Sequence, residues 1–585
     1  MSRTAARRPP TRPTTSAFVW LVSCGLLALP PAAATAQDDG PTDLARVTTS
    51  LERQIEKILD ETGIPSISLA LIRDGEVVWA SAHGYANVGA RVPATTDTYY
   101  STGSTFKFVT ATAIMQLVER GDLTLDTPLN EIVGPELAVE GADDVTVRHL
   151  LSHHSGLDAF EFARRINTEG PVTTVPLWSR RAHITPQEVL SHTRRTGPPG
   201  TEFEYSNDGY IIAGYIVEKV SGQSYDKYVA EHVLQPLGVD IDRPSVPSPA
   251  VVEHMALPYE LSDNAPTPIS QVRYDAAAPG DVYLKASDMA RFVAAQLNGG
   301  EFQGGRILSS TSTEEMRRQQ FDGQAYGLGV QLASFRGHDI INHSGGIPGF
   351  KSRMVAEPAT RQGVYIMANA GNASALGPLA GYAMQLMWGD DVEPLPSFAT
   401  KTEVTVSPDI FDEYAGEYAL TPDLSITVSR VRDRFFVQPT GQSRVEVFAS
   451  SETDFFLRGK MASFTFGRDE EGGPVTHLIL HQNGDQRANR VTLADLVPSA
   501  EDITQFSGTY VLQGANLEVR IFEQDGYLFM QPNGRSAARL LYQGQGEFRA
   551  SGDPSVRIIF DPESGRDFAF HQDGAQVKGI RQSDA

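Results

Sequence analysis

The last third of the chain repeats itself at a spacing of about 90 residues. The segments GEYALTPDLSITV, FFVQPTG and HLILHQNG are followed, in the same order, by GTYVLQGANLEVRI, LFMQPNG and FAFHQDG. Within these segments apolar and polar residues alternate, and glycine and aspartate turns separate them, which is typical of short β-strands. The repeat predicts two tandem all-β modules, at 411–496 and 501–583.

The residues before this repeat alternate strand-like and helix-like runs. SISLALIRDGEVVWASAHGYA contains two β-branched runs joined at Asp74-Gly75, which is a strong hairpin signal. A helical block follows, in which KASDMARFVAAQLNGG predicts a helix capped by Ser287 and ended by two glycines. Strand-like runs return in YGLGVQLASF, SRMVAEP and GVYIMANAG. We therefore expect an α+β domain at 37–395, with one sheet built from both ends of the domain and a lobe of helices, and a linker at 396–410.

The first 36 residues have the pattern of a signal peptide. Arginines precede the apolar run AFVWLVSCGLLALP, and small residues end the segment at Ala36. The pattern predicts export to the periplasm or the exterior of a bacterium. The alternatives are a lipid anchor at Cys24, within the lipoprotein-like LVSC, and twin-arginine export through Arg7-Arg8. Beyond residue 36 no apolar run reaches the ~20 residues that span a bilayer, so we expect no membrane span in the mature chain.

Charge and cysteine content exclude several classes of function. The formal net charge is −23, which argues against nucleic acid as a partner because phosphate binding requires a basic surface. Cys24 is the only cysteine, so cleavage at Ala36 would exclude a thiol nucleophile, a cysteine-rich zinc site and disulfide bonds. His149 and His153 lie four apart, as metal ligands can, but no third ligand matches them and a structural role is predicted. We expect no metal and no organic cofactor.

The stretch YYSTGSTFKFVTATAIMQLVERG, residues 99–121, places a serine and a lysine at the start of an apolar helix. Residues three apart on a helix share a face, so the Lys107 amine can reach the Ser104 hydroxyl. The helix N-terminus and partial burial both disfavour the charged amine, so we expect a lowered pKa for Lys107. The neutral amine could act as a base, and the helix end would point N–H groups at an oxyanion. Alternatively, Ser104 only caps the helix.

Two further motifs follow this pair, EYSNDGY at 204–210 and INHSGGIPGF at 341–350. A serine-lysine pair, then Tyr-x-Asn, then a basic residue before a small residue and a glycine resembles the serine β-lactamase and penicillin-binding protein family. The resemblance covers about residues 45–390 and is closest to the class C-like branch. It implies an α+β, β-lactamase/transpeptidase-like sandwich: an antiparallel sheet flanked by helices, plus a helical lobe.

The resemblance also implies a role for each motif residue. Ser104 is expected to be the nucleophile, Lys107 its activating base, and Tyr205 the group that carries a proton to the leaving group. Asn207 would bind Lys107 and a substrate amide carbonyl, and the N–H groups of Ser104 and Gly346 would form the oxyanion hole. The expected substrate-binding residues are Asn207, His343 and Gly345.

His343 departs from the penicillin-active branch, which usually has lysine at this position. Lysine offers a fixed positive charge to a substrate carboxylate, whereas histidine is largely neutral near pH 7. The departure favours the family's esterases and peptidases, including those specific for D-amino acids. We expect an exported serine hydrolase that forms an acyl-enzyme on Ser104 and cleaves an amide, peptide or ester bond in a small-molecule or peptide substrate. The alternatives are a β-lactamase or a cell-wall D-Ala-D-Ala carboxypeptidase, and a non-catalytic binding protein.

Two other features need an interpretation. SYDK forms a second serine-lysine pair at Ser224 and Lys227, but the helix after it mixes polar and apolar residues as on a surface, so Ser224 is predicted to be a helix cap. The two β modules resemble the lipocalin-like barrels that follow the catalytic domain in some of these peptidases. Such modules can shape substrate access or build a homo-oligomer, and the alternative is a purely stabilising role.

Overall fold

The structure is a computed structural model of the chain. It describes residues 43–158, 180–181, 184–241, 244–262, 264–270, 272–273, 277–398, 402–421, 424–440, 444–457, 462–470, 472–481, 485–491, 494–513, 517–533, 536–551, 553–561, 567–572 and 575–582. The predicted signal peptide at 1–36, with the alternative anchor at Cys24, lies outside the described residues. Within the described part of the chain, no helix has both the length and the apolar character needed to cross a membrane.

The first domain is organised around a seven-stranded antiparallel sheet. Its strands are β1 (Ser66–Arg73), β2 (Glu76–Asn87), β3 (Val92–Pro93), β4 (Gln331–Phe335), β5 (His338–Ile347), β6 (Phe350–Glu357) and β7 (Gln362–Ala368), in the spatial order β4-β5-β6-β7-β1-β2-β3. The predicted hairpin is confirmed, and Asp74 and Gly75 at its tip have φ of 53° and 76°, as a two-residue turn of this kind requires. The pairing of β1 with β7 joins the two ends of the domain in one sheet.

Helices cover both faces of this sheet. The five longest described helices are α1 (Leu44–Thr62), α2 (Lys107–Glu119), α3 (Asn207–Ser221), α4 (Ala286–Leu297) and α5 (Leu376–Trp388). Leu69 and Leu71 of β1 pack with α1 and α5, whereas Ala70 and Ile72 pack with the core that contains α2 and α4. Both faces of β1 are buried, so every residue from Ser66 to Ile72 is shielded from solvent and the strand has no exposed polar face.

The helical lobe is formed by residues between β3 and β4. Its α2 is buried almost all round, which explains why its sequence is apolar without a polar stripe. The other described helical segments are Gly103–Phe106, Leu129–Val133, Val147–Leu151, Pro186–His192, Tyr225–Val229, Ala230–Leu234, Gln235–Leu237, Pro249–Glu253 and Ser310–Met316. Short strands pair Tyr100–Ser101 with Tyr283–Leu284, Arg180–Arg181 with Val272–Arg273, Tyr259–Ser262 with Ala265–Pro268, and Glu301–Phe302 with Gly305–Arg306.

The start of α4 differs from the sequence prediction. The helix begins at Ala286 with Lys285 as its N-cap, so the assignment of Ser287 as the cap is wrong. Asp288 causes the earlier start, because its carboxylate accepts the backbone N–H of Lys285 at 3.3 Å. The helix ends at Leu297, shortly before the two predicted glycines.

Each β module is a closed eight-stranded barrel preceded by a short helix. In the first, Pro408–Tyr414 precedes the strands Gly416–Thr421, Leu424–Val431, Arg434–Pro439, Val445–Ala449, Asp454–Phe456, Ser463–Gly467, His477–His481 and Asp485–Arg490. In the second, Ala500–Phe506 precedes Gly508–Leu512, Leu517–Gln524, Tyr527–Pro532, Ala538–Gly544, Glu547–Ala550, Asp553–Phe560, Asp567–Gln572 and Ala575–Arg581. The predicted fold class, a β-lactamase-like α+β domain followed by two all-β modules, is confirmed.

The two barrels repeat the same internal contacts. Tyr418 donates its hydroxyl to the carbonyl of Tyr414 at 2.7 Å, and Tyr510 donates to the carbonyl of Phe506 at 3.0 Å. The preceding helix of each barrel buries an aromatic side chain in the barrel core, Phe411 in the first and Phe506 in the second. Side chains therefore fill both described interiors, as is usual for barrels of eight strands.

Candidate active site

Ser104 lies in the 3-10 turn Gly103–Phe106, directly before α2 and against the end of β5. A Cβ built on Gly103 would lie 2.4 Å from the Gly346 amide nitrogen, and one built on Gly345 would lie 3.1 Å from the Ser104 amide nitrogen. Real Cβ atoms do not tolerate the first distance, so glycine lets the turn and the strand approach each other. The approach brings the backbone N–H groups of Ser104 and Gly346 close together.

Buried hydroxyl groups hold this turn on the sheet. Ser352 of β6 donates to the Thr102 carbonyl at 2.5 Å, and Thr105 donates to the same carbonyl at 2.8 Å. The Thr105 hydroxyl also lies 2.5 Å from the hydroxyl of Tyr365 on β7. Because all of these groups are buried, they restrict the position of Ser104 relative to β5.

We expect Gly345→Ala to destabilise the protein. The added methyl group would lie 2.2 Å from both the Thr102 carbonyl oxygen and Ser352 Oγ, so the turn or the strand must move. Overpacking of this kind costs about 1–3 kcal/mol of unfolding free energy. Thermal unfolding measures the loss, with Gly377→Ala as the control because a Cβ there meets nothing within 4 Å. Equal melting temperatures for the two variants would contradict the close approach.

Lys107 is fully buried and its amine has three neighbours. Nζ lies 2.6 Å from Asn207 Oδ1, 3.0 Å from the Pro279 carbonyl oxygen and 3.2 Å from Ser104 Oγ. The first two atoms only accept hydrogen bonds, whereas a hydroxyl can also donate. A neutral amine has two N–H donors and one lone pair, so donation to Asn207 and Pro279 leaves the lone pair facing the Ser104 hydroxyl.

Burial lowers the pKa of Lys107 well below its usual value, as the sequence predicted. The structure thus favours the neutral amine that this arrangement requires. The second serine-lysine pair lacks these features: the Lys227 side chain is 58% exposed and lies 3.8 Å from Glu231. Ser224 is the N-cap of the helix Tyr225–Val229, as predicted. The two serine-lysine pairs have the same spacing in sequence, but only Lys107 is buried and Lys227 is exposed.

Tyr205 and Asn207 stand on either side of Ser206, which caps α3. Ser206 Oγ accepts the N–H of Gly209 at 2.8 Å, and this cap fixes the start of the helix from which Asn207 reaches Lys107. Tyr205 packs over the amine, with Lys107 Nζ 4.9 Å from its ring centroid. Burial raises the pKa of Tyr205, and a hydrogen bond with Ser104 opposes that rise in part. Tyr205 therefore stays protonated at neutral pH.

His343 is buried on β5 and both of its ring nitrogens have partners. Nδ1 lies 2.7 Å from the Ser344 carbonyl oxygen, which can only accept, so Nδ1 carries the proton. Nε2 is then the acceptor for the hydroxyl of Tyr326, at 3.0 Å. Burial is the largest cause that lowers the pKa of His343, to about 3. His343 therefore lies at the site as a neutral ring.

Sequence reasoning missed three contributors to this site. The Pro279 carbonyl is a backbone group, which a motif cannot reveal, although its neighbour Gly280 has φ of 136° and packs against Gly103. Tyr326 belongs to no motif. His153 was assigned a structural role, yet its ring centroid lies 4.3 Å from that of Tyr205.

The histidine pair considered as metal ligands has other partners. His149 Nδ1 accepts the Thr146 N–H at 3.1 Å and so takes part in a helix cap. His153 accepts a hydrogen bond from the backbone of Ser206. Among the residues that the structure describes, no group of three or more His, Cys, Asp or Glu side chains could hold a metal ion.

Comparison with known proteins identifies two sequence families along the chain. Residues 51–386 match the family described as Beta-lactamase, and residues 400–492 match a domain of unknown function, DUF3471. The second match includes the first barrel. The second barrel, at 508–581, lies beyond both matches but has the same architecture as the first.

Individual relatives agree with the first match. Penicillin-binding protein 4 of Amycolatopsis lactamdurans is 30% identical over 370 residues, which cover 59% of this chain and 93% of that protein. The octameric penicillin-binding protein homologue from Pyrococcus abyssi is 27% identical, with a TM-score of 0.53, and covers 76% of this chain and 100% of its own.

The structure of D-amino acid amidase from Ochrobactrum anthropi SV3, 24% identical with a TM-score of 0.50, covers 59% of this chain and 99% of its own and shares the fold. The family match extends over more than half of the chain and contains every motif residue considered above. This chain therefore belongs to the beta-lactamase family, and it is a serine hydrolase.

Proposed function

We propose that the protein cleaves amide, peptide or ester bonds through an acyl-enzyme on Ser104. The observation that carries the proposal is the environment of Lys107, a buried amine 3.2 Å from Ser104 Oγ whose two other neighbours can only accept hydrogen bonds. A base of this kind is what a serine hydroxyl needs to become a nucleophile near neutral pH.

In the proposed reaction, every proton moves between Ser104, Lys107, Tyr205 and the substrate or water. Ser104 Oγ attacks the substrate carbonyl carbon while its proton passes to Lys107 Nζ. The resulting oxyanion accepts hydrogen bonds from the N–H groups of Ser104 and Gly346. Tyr205 then donates its hydroxyl proton to the leaving atom as the carbonyl-leaving atom bond breaks, and it recovers a proton from Lys107. In the second half, water attacks the acyl carbon, its proton enters the same groups, and Ser104 is released protonated.

We propose Asn207 and the edge of β5 at Gly345 as the substrate-binding groups. Asn207 can donate its amide N–H₂ to a substrate carbonyl, because Oδ1 already accepts from Lys107. In the register of the sheet, β4 pairs only with residues 338–342 of β5, so the following residues leave an edge to which an extended substrate can add. His343 would line the substrate-binding site as an uncharged ring.

The neutral state of His343 gives a prediction about pH. With a pKa of about 3, His343 stays uncharged between pH 5 and pH 8, so it offers no cation to a substrate carboxylate. We expect the ratio of kcat/KM for D-alanyl-D-alanine to that for its C-terminal amide to be flat over this range. Steady-state kinetics at several pH values measure the ratio. An imidazolium anchor would instead raise the ratio as the pH falls through the usual pKa of histidine.

A substrate panel tests the proposed function. We expect wild-type protein to turn over p-nitrophenyl butyrate and D-alanine p-nitroanilide with higher kcat/KM than nitrocefin. A preference for nitrocefin, lost in Ser104→Ala, would favour a β-lactamase. Release of D-alanine only from peptides with a free C-terminus would favour a carboxypeptidase. Binding of the panel without turnover would contradict the proposal and favour a binding protein.

We also propose how the chain is processed and divided. Residues 1–36 would be removed on export to the periplasm or the exterior, which their arginine-rich start, apolar run and small-residue end support. The catalytic domain would occupy 37–395, the linker 396–410, and the modules 411–496 and 501–583. N-terminal sequencing of the exported protein tests the cleavage, with retention of Cys24 as the outcome that would favour a lipoprotein.

We propose that the protein forms a homo-oligomer through its barrels. The relative from Pyrococcus abyssi is octameric, and both barrels here have filled interiors, which leaves their outer surfaces as the available binding surfaces. Light scattering on the full mature chain should give a multiple of the chain mass. A monomer at micromolar concentration would contradict the proposal.

A further inference from the structure

We infer that His153 is a positioning residue that holds Tyr205 in its catalytic orientation. The inference rests on the proposed function, because it matters only if Tyr205 donates a proton to the leaving group. His153 lies in the loop that follows the helix Val147–Leu151, outside the three motifs. It is fully buried against the segment that carries Tyr205.

His153 binds the residues on both sides of Tyr205. The N–H of Glu204 donates to the His153 carbonyl oxygen at 2.8 Å, and the N–H of Ser206 donates to His153 Nδ1 at 3.0 Å. His153 thus fixes the backbone on both sides of Tyr205. Its carbonyl oxygen binds the residue before the tyrosine, and its ring binds the residue after it. The ring contact also reaches the N-cap of α3, next to Asn207.

The hydrogen bond from Ser206 determines the proton position on the His153 ring. Nδ1 accepts, so in the neutral ring the proton lies on Nε2. Nε2 is buried and has no hydrogen-bond partner among the described residues. The ring instead lies among aromatic side chains, with centroid distances of 4.3 Å to Tyr205, 4.9 Å to Tyr326 and 5.2 Å to Tyr210.

Burial keeps His153 in this neutral form, because it lowers the pKa of the ring well below the usual value for histidine. Lys107, His343 and His154 are the ionisable side chains near it, and a charge on any of them would lower its pKa further. A protonated ring would carry hydrogen on both nitrogens, and the Ser206 N–H would then lose its acceptor. The position of Tyr205 is therefore coupled to a neutral His153.

The backbone of His153 is also unusual. Its φ of 63° lies in the left-handed region, which only a few per cent of non-glycine residues adopt. A strained residue of this kind persists when the surrounding contacts require it, and such residues cluster at functional sites. Here the conformation brings the carbonyl group and Nδ1 of the same residue to neighbouring N–H groups of one segment.

His154 provides a matched control. It is equally buried and adjacent in sequence, but its Nδ1 lies 2.8 Å from the Ser152 carbonyl oxygen, and its ring contacts Phe203 and Phe321. No described contact joins its ring to Tyr205. Loss of His154 removes a buried histidine without removing a hydrogen bond to the segment that carries Tyr205.

The test compares His153→Phe, His153→Asn and His154→Phe with Tyr205→Phe. Phenylalanine keeps a ring but cannot accept the Ser206 N–H, whereas asparagine places Oδ1 near the position of Nδ1 and tolerates a left-handed backbone. The substrates share one acyl group: p-nitrophenyl butyrate, whose leaving group departs as an anion, and ethyl butyrate, whose alkoxide needs a proton. Thermal unfolding is measured for every variant.

We expect His153→Phe to lower kcat/KM for ethyl butyrate by about 10- to 100-fold, because a small misplacement of an acid has effects of that size. The loss on p-nitrophenyl butyrate should be clearly smaller, as in Tyr205→Phe. His153→Asn should recover most of the rate on ethyl butyrate, and His154→Phe should keep the wild-type ratio of the two substrates. In a Tyr205→Phe background, His153→Phe should add little further loss.

Equal losses on both substrates in His153→Phe, or additive losses in the double variant, would overturn the inference and leave His153 a structural residue. If His153→Phe does not fold, His153→Asn decides: equal losses on both substrates in that variant would also overturn it. Wild-type protein that turns over neither butyrate ester would instead contradict the proposed function itself. The two failures are therefore distinguishable.

Discussion

Ser104→Ala is expected to reduce turnover of p-nitrophenyl butyrate by about 10⁴-fold or more, because no acyl-enzyme can form without the hydroxyl. The hydroxyl is one of three neighbours of the Lys107 amine, and it lies where the Ser104 and Gly346 amides approach each other. Ser224→Ala is the matched control, since it removes the serine of the other serine-lysine pair at the cap of a surface helix. That variant should keep wild-type turnover.

The loss in Ser104→Ala should occur without loss of stability. Ser104 is partly exposed and its side chain does not cap a helix, so we expect a melting temperature close to that of wild type. Rates are measured at substrate concentrations above and below KM, to separate kcat from binding. A variant that retains more than about a tenth of wild-type kcat would show that Ser104 is not the nucleophile.

Lys107→Met is expected to lower kcat by about 10²- to 10⁴-fold, the usual contribution of a general base. Methionine fills much of the same volume but has no lone pair on nitrogen to face the Ser104 hydroxyl. Lys107→Arg should be no better, because a guanidinium stays charged and cannot accept the proton. Recovery of activity in Lys107→Arg would contradict the role of a neutral base and favour a role for positive charge.

Lys107→Met also gives a pH test of the Lys107 environment. The pKa of Lys107 in the folded protein lies well below the value of 10.5 expected in the unfolded chain. At pH values between the folded and the unfolded pKa, the unfolded chain therefore binds a proton that the folded protein does not. Lys107 therefore lowers the free energy of unfolding progressively as the pH falls through this range. Lys107→Met removes that contribution, so its melting temperature relative to wild type should rise as the pH falls from about 9 to about 6. A pH-independent difference would contradict the lowered pKa.

Side-chain identity and motif order point to candidate site residues in the sequence. Ser104, Lys107 and Tyr205 are such candidates because each residue type limits the chemistry and the family has a fixed order of motifs, and the structure brings their side chains together. The backbone carbonyl of Pro279 and the hydroxyl of Tyr326 could not be predicted, because long-range folding alone brings them to the amine and to His343.

Features of the fold that depend on local sequence were predicted better than features that depend on long-range contacts. The hairpin at Asp74-Gly75 follows from local turn chemistry, and the structure has it at that position. The start of α4 was misplaced by two residues, because both the hydroxyl of Ser287 and the carboxylate of Asp288 can cap a helix start in sequence. The repeat predicted two β modules, but pattern alone could not show that each closes into a barrel around an aromatic residue from the helix before it.

The role inferred for His153 from the structure differs from the role predicted from the sequence. In the sequence it is one of two histidines at helical spacing without a third ligand, so a structural role was the better interpretation. In the structure, its carbonyl oxygen and its ring accept hydrogen bonds from the two residues that flank Tyr205. The features that indicate this role are the left-handed backbone and the hydrogen bond that Nδ1 accepts from Ser206, and neither can be read from sequence.

The measurement that tests the central claim most directly is mass analysis of protein quenched in acid during turnover of p-nitrophenyl butyrate. An acyl-enzyme predicts a mass increase of one butyryl group, and digestion should locate it on the peptide that contains Ser104. Tyr205→Phe provides a second sample in which a slower second step should increase the adduct, and Ser104→Ala should carry none. An adduct on another residue, or full turnover by Ser104→Ala, would contradict the assignment of Ser104 as the nucleophile.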